Sequence, residues 1–228
     1  PGLKPWDADN YDLSLEFYTA QGGLLSAGVF RKDIRNFFGN VVKTATAADL
    51  QALDLDPRYL NWRLSTTYNL TGIARVSGVE FNIRHQLGFL GSWARGLQAF
   101  ANGTKLDLDG DQDAEFGTFV PTSANWGLTY SRRAFTVMLK WNYRGTQQRG
   151  SLPALGADAY EYVRGRIPVD LNVDVQVRPN LFIYINGQNI FDRPELLERY
   201  GSQTPAYARR YQEMTHGVQL TLGVKGTF

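Results

Sequence analysis

The sequence of 228 residues contains no cysteine, so neither a disulfide framework nor a thiolate metal site can be built from it. It has only two histidines, His85 and His216, far apart along the chain. That scarcity argues against an imidazole-rich transition-metal centre and against a histidine-based catalytic triad. No Gly-x-Ser-x-Gly elbow, Walker loop or dinucleotide fingerprint occurs, so a non-enzyme without a cofactor is expected. An excess of one charge is also missing: the formal net charge is +2, too small to point to nucleic acid as a partner. No apolar run approaches the roughly 18–20 residues of a membrane-spanning helix, and mean hydropathy is −0.32. A membrane barrel stays open, because its strands carry apolar residues only at alternate positions.

Alternation is what the sequence has in quantity. Val218, Leu220, Leu222 and Val224 share one strand face, with Gln219, Thr221, Gly223 and Lys225 on the other, and the chain ends on Phe228 in the apolar set. The same period recurs over Tyr11–Phe17, Val79–Ile83, Trp126–Tyr130, Phe135–Tyr143 and Val169–Val177. Stretches of about 9–11 residues suit a tilted strand crossing a bilayer better than the usual soluble strand of about 5–6 residues. Residues 24–34, 97–106 and 181–190 read as strands with no clear face. Tyr, Phe and Trp number 12, 13 and 5, and several fall at strand ends, as interfacial girdles require. A large soluble β-sandwich or propeller is the competing architecture.

Connections alternate in length. Residues 19–23, 132–134 and 178–180 are short and 87–96 somewhat longer, whereas 35–72, 107–123, 145–166 and 192–215 are long. Short turns on one side and long loops on the other are the outer-membrane asymmetry. Keeping that asymmetry requires Trp62–Asn69 to belong to a hairpin above the membrane, which leaves about nine spanning strands. An odd count is incompatible with a complete single-chain bacterial barrel, and the sequence opens on Pro1 without a signal peptide. A carboxy-terminal portion of a longer all-β, antiparallel transmembrane barrel is therefore expected. The polar parity would line the lumen with Glu80, Asn82, Arg84, Lys140, Asn142, Arg144, Asp170, Asn172 and Asp174.

Several segments resemble one family. L-K-P-W-D-A-D-N-Y-D-L-S-L-E-F-Y (Leu3–Tyr18), S-A-G-V-F-R-K-D-I (Ser26–Ile34) and A-R-V-S-G-V-E-F (Ala74–Phe81) are similar, in this order, to segments of TonB-dependent outer-membrane receptors. So are V-D-L-N-V (Val169–Val173), N-L-F-I-Y-I-N-G-Q-N-I-F-D (Asn180–Asp192) and the terminal L-G-V-K-G-T-F. Trp6 departs from the family, which often carries Glu there. The resemblance implies a barrel of about 22 strands with an amino-terminal plug domain and a TonB box, neither within residues 1–228. It also implies a barrel-assembly signal at Phe228, a bacterial outer-membrane location and TonB-energised uptake of a ferric siderophore, another chelate or a saccharide. The partners it implies are membrane lipid and lipopolysaccharide, the plug, the TonB complex and the barrel-assembly machinery. A passive porin-like channel and a soluble carbohydrate-binding β-domain remain the alternatives.

Two groups of residues are candidate sites. Arg149, Arg164, Arg166, Arg199, Arg209 and Arg210, with Tyr200, Tyr207 and Tyr211, crowd the last two long loops, where guanidinium forks and phenols suit an anionic, oxygen-rich ligand. Pairing of these arginines with Glu195, Glu198 and Glu213, or with lipopolysaccharide phosphates, is the competing reading. Asp107, Asp109, Asp111 and Asp113 could wrap a calcium ion, but Gln112 and Thr118 stand where a calcium loop needs Gly and Glu, and an acidic solvated loop is the simpler reading.

Overall fold

Period-two patterning sets the architecture of the computed structural model, which describes residues 2–20, 22–110, 114, 116–156 and 158–226. In chain order the strands are β1 (Asp7–Tyr18), β2 (Leu24–Arg35), β3 (Phe38–Thr44), β4 (Arg63–Asn69), β5 (Ala74–Gln86), β6 (Leu97–Asp109), β7 (Thr122–Arg132) and β8 (Phe135–Arg144). They continue as β9 (Gln147–Ser151), β10 (Tyr160–Val163), β11 (Val169–Arg178), β12 (Leu181–Gln188), β13 (Glu195–Tyr200), β14 (Arg210–Met214) and β15 (Gln219–Gly226). Nine of them form one sheet in the order β1-β2-β5-β6-β7-β8-β11-β12-β15. β3 and β4 make a separate hairpin, and β14-β13-β10-β9 a four-stranded sheet. The nine strands and the hairpin expected from loop parity are both present. Phe228, Asp111 and Asp113 lie outside the described residues.

The chain divides into two units, Pro1–Tyr11 with Arg31–Val76 and Leu108–Phe116, and Asp12–Phe30 with Ser77–Asp107 and Gly117–Phe228. In the first unit, Phe37 is 1% exposed and packs its ring, tilted, against Trp6 at 4.8 Å and Phe116 at 5.1 Å. Trp6 thus has a packing role that a glutamate could not fill. The β3–β4 connection carries helix α1 (Ala47–Ala52), started by a capping box: Thr46 Oγ1 accepts from the Asp49 amide at 3.3 Å, and Asp49 Oδ2 accepts from the Thr46 amide at 3.0 Å. Lys43 beside it, and then Thr46, hold the Asp49 carboxyl down to about 2, below its ordinary 3.8. Because the folded value is the lower one, this contribution is complete above the ordinary carboxylate range and is lost as pH falls from about 4 towards 2. Hydrogen exchange in residues 43–53 is expected to accelerate over that window, and D49N should flatten the pH dependence.

Among the described residues no apolar layer covers the apolar face of the nine-stranded sheet. Among described residues the buried apolar side chains lie at strand ends and in connections: Ile34, Phe37, Ala45, Leu50, Leu70, Ala74 and Val76 in the first unit, and Ala94, Ala159, Val163, Val169 and Leu197 in the second. Mid-strand residues on the apolar parity stay exposed, including Leu13 (73%), Phe81 (45%) and Leu220 (70%). Such continuous apolar exposure marks a surface that another phase covers. Hydrocarbon meets that need, with Trp126 and Trp141 stacked at 6.5 Å towards one end of the band and Tyr130 beside Phe135 at the other.

Candidate functional site

Register assigns the polar face. Asn102 pairs with Asn125, Asn125 with Asn142, Lys140 with Asp170, and Asn172 with Asn186. Side chains then bond across the strands. Asn125 donates to Asn102 Oδ1 at 3.2 Å, and Asn142 donates to Asp170 Oδ2 at 2.8 Å. Lys140 Nζ lies 3.4 Å from the same Asp170 oxygen, and Lys225 pairs with Asp174. Asp170 Oδ1 also accepts from the Asn189 amide at 3.0 Å, tying β8, β11 and the end of β12 together.

Where β1, β2, β5 and β6 lie side by side, small residues let the same face recede. Ser14, Glu16, Ser26, Gly28, Glu80, Asn82, Asn102 and Thr104 line a polar notch of ≈ 410 Å³. Lys140, Asn142, Asp170 and Asp174 therefore stand in a bonded ladder, Asn172 shares its face, and Glu80 and Asn82 line the notch. Arg144 reaches Gln147 Oε1 at 3.1 Å, at the upper edge, while Arg84 makes no ion pair among the described residues.

The three segments that had no clear face now have one. Phe30, Phe100 and Tyr184 fall on the polar parity, each lying over a glycine of the neighbouring strand. A Cβ on Gly78 would sit 2.8 Å from the Phe30 ring, one on Gly127 2.8 Å from Phe100, and one on Gly223 would overlap the Tyr184 ring. Glycine gives the rings room against the backbone. The opposite parities, Leu25 and Val29, Leu97 and Ala101, and Ile183 and Ile185, join the apolar band.

At the end of β12, Asn189 adopts φ 51°, a conformation asparagine tolerates. Its side chain clasps the backbone of Arg193, accepting from its amide at 2.9 Å and donating to its carbonyl at 3.2 Å. This clasp starts the long connection that carries β13 and β14.

The four-stranded sheet gathers the tyrosines and arginines of the last two long loops. Register puts Tyr160 opposite Tyr200 and Tyr162 opposite Glu198, so all three rings share a face. Tyr162 stacks on Tyr200 at 4.3 Å, and Tyr160 meets Tyr162 edge-on at 6.5 Å. Arg209 covers Tyr200 at 4.7 Å, and Arg199 covers Tyr211 at 3.3 Å while donating to Glu161 at 2.8 Å. Partial burial raises the Tyr162 phenol above its ordinary value, helped by Tyr200 and Tyr160. The Ser202 hydrogen bond holds the Asp158 carboxyl below its own.

Most candidate arginines are thus held inside this sheet. Arg166 pairs with Glu195 at 2.9 Å, Arg164 with Glu198 at 3.6 Å, and Arg210 with Glu213. Arg149 is exposed on β9, and Tyr207 is 89% exposed. Sequence reasoning missed Glu161, Asn102, Asn125 and Lys225, whose partners come from register and not from spacing. Asp109 is engaged by Arg75 at 3.2 Å, and no group of three potential metal ligands occurs among the described residues.

The family model described as TonB dependent receptor-like, beta-barrel, matches residues 1–190. The fold is similar to that of the copper transporter OprC, with TM-score 0.69 and 16% identity over 100% of this chain and 32% of that one. It is also similar to the ferric citrate transporter FecA, with TM-score 0.62 and 15% identity over 96% of this chain and 31% of that one. The iron transporter FrpB from Neisseria meningitidis gives TM-score 0.62 and 13% identity over 100% and 31%. The chain therefore spans about a third of the length of these solved structures. No curated protein matches the sequence. With the family model covering most of its length, the chain belongs to the TonB-dependent receptors of the Gram-negative outer membrane and contributes nine strands of their β-barrel.

Proposed function

We propose that the chain is the carboxy-terminal wall of a receptor that draws a scarce ligand through the outer membrane with energy delivered by the TonB complex. The observation that carries this reading is the two-faced sheet: apolar outward, and inward a bonded ladder of Asn102, Asn125, Asn142, Asp170 and Lys140. That inner wall is too polar for a dry core and suits a lumen holding a plug domain supplied by the longer chain. Phe228 would be the signal read by the barrel-assembly machinery. The chemistry implied is transport, with no covalent step. Cargo of the structural neighbours, copper, ferric citrate and iron, supports a metal or metal chelate as the ligand class.

The face bearing Tyr160, Tyr162 and Tyr200, with Arg209 above it, is the loop surface best shaped to meet such a ligand, since rings stack on planar chelates and the guanidinium faces their anionic oxygens. The test uses the full-length receptor in cells with and without TonB, offered ferric citrate, ferripyoverdine and copper(II) in turn. Energy-dependent accumulation of one of them is expected, and replacing Tyr162 and Tyr200 together by Ala should weaken its binding about tenfold, given about 0.5–1.5 kcal/mol per aromatic contact. Steady ion conductance in a planar bilayer, with accumulation indifferent to TonB, would establish a passive channel instead.

A further inference from the structure

At the short-turn ends of the strands in the second unit, five arginines stand where the chain supplies no carboxylate. Arg84 and Arg95 flank the β5–β6 turn, Arg132 and Arg133 make the β7–β8 turn, and Arg178 opens the β11–β12 turn, all of them exposed. Residues 84–97, 131–136 and 176–182 contain neither Asp nor Glu. None of the five has an ion pair among the described residues, whereas at the long-loop ends Arg164, Arg166, Arg199 and Arg210 each hold a glutamate. The short-turn end leaves its positive charge unbalanced.

The turns that carry these arginines form one continuous edge. The Ser131 amide donates to the Gly96 carbonyl at 2.8 Å and the Gln176 amide to the Ala134 carbonyl at 2.6 Å, so the three turns are tied side by side. The β5–β6 connection folds into two 3₁₀ turns, Gly88–Leu90 and Ser92–Ala94, closed by the Leu87 amide on the Leu97 carbonyl at 2.8 Å and pinned by the buried Ala94. That platform presents Phe89 and Trp93, 64% and 63% exposed, near Arg95. Neighbouring strands lie about 4.8 Å apart, so successive charged turns along the sheet are roughly 10 Å from one another. Arg84 shares the lumen-facing parity of Glu80 and Asn82, whereas Arg132 shares the outward parity of Leu128 and Tyr130. Charge on both faces points to something beneath the rim, since lipid headgroups surround the outer face alone.

We propose that this rim rests on the carboxylate-bearing glycan–peptide polymer beneath the outer membrane, peptidoglycan, with Arg95, Arg132, Arg133 and Arg178 as the carboxylate-binding residues. A guanidinium fork fits a carboxylate in two parallel charge-assisted bonds. Positive charge repeated along an edge suits an anionic polymer, which repeats its carboxylates, better than one compact anion. The exposed rings of Phe89 and Trp93 add apolar faces on which amino-sugar rings can pack. Short turns closed by backbone hydrogen bonds lose little freedom on contact, so weak individual pairs can add. The inference needs the short turns to face the periplasm, as loop asymmetry places them, and stands or falls separately from the uptake reading.

Co-sedimentation of the full-length receptor, held in phosphatidylcholine nanodiscs, with purified peptidoglycan sacculi decides the matter. The receptor is expected to pellet with native sacculi, and less so as salt rises and screens exposed charge. Affinity should fall about tenfold when R95Q, R132Q, R133Q and R178Q are combined, several exposed ion pairs being lost together, while heat-modifiable gel mobility shows a folded barrel. Sacculi whose carboxylates have been amidated should bind the wild-type receptor as weakly. Absence of pelleting by the wild-type receptor overturns the proposal, as does unchanged affinity in the folded variant or equal affinity for native and amidated sacculi. Selective retention of phosphatidylglycerol over phosphatidylcholine without binding to sacculi would assign the rim to lipid headgroups and overturn it equally. Should the combined variant not fold, the comparison of native with amidated sacculi settles the point alone.

Discussion

Leu139→Arg in the full-length receptor is expected to cost about 2–4 kcal/mol of folding stability in lipid, whereas Met138→Arg, one residue away, should stay within about 1 kcal/mol. Leu139 is the midpoint of β8 between Phe135 and Tyr143, and it pairs with Leu128 on one side and Leu171 on the other. Those three leucines place it near the centre of the apolar band. An arginine there must hold its charge in hydrocarbon or pull headgroups and water towards it. Met138 points the other way, between Thr129 and Asn172, where polar neighbours and water accept a guanidinium. Reversible denaturant unfolding from lipid vesicles measures both variants on one scale. Equal costs for the pair would mean that hydrocarbon does not cover the Leu139 face, and the membrane reading of the whole sheet would go with it.

Which parts of this arrangement the residue pattern reveals has a physical reason. β8, β11 and β15 alternate cleanly because their two faces meet two different solvents, and each residue answers to its own surroundings. β2, β6 and β12 blur because Phe30, Phe100 and Tyr184 occupy the polar face, and what makes room for them is a glycine on the next strand. No period within one strand can encode a vacancy on another. The β3–β4 hairpin was legible from loop parity alone, since a spanning strand there would reverse every later connection. The candidate loops were half legible. The pairing of Arg164, Arg166 and Arg210 with Glu198, Glu195 and Glu213 was the competing reading and is what the four-stranded sheet contains. The hold of Glu161 on Arg199 comes from antiparallel register between β10 and β13, 38 residues apart, and leaves no mark in spacing.

Asp170 concentrates that kind of illegible information, and its removal should have the second large effect. Asp170→Ala strips acceptors from the Asn142 side chain at 2.8 Å, the Asn189 amide at 3.0 Å and the Lys140 ammonium at 3.4 Å. Hydrogen bonds to a charged group contribute about 1.5–3 kcal/mol. The carboxylate keeps 20% of its exposure, so water will compensate part of the loss, and a net cost of about 2 kcal/mol is expected. Asp170→Asn should cost roughly half as much, because one amide oxygen can still serve Asn189 while the amide nitrogen faces Lys140 as donor against donor. The two variants also separate stability from reach. Asp170 fixes the first residue of the Asn189 clasp, and the clasp launches the connection to β13 and β14, so Asp170→Ala should raise hydrogen exchange at residues 189–200 as well as across β8 and β11. Exchange confined to β8 and β11, with 189–200 unchanged, would show that the Asn189–Arg193 clasp holds by itself. The tyrosine face of the outer sheet would then owe nothing to the charged ladder of the wall.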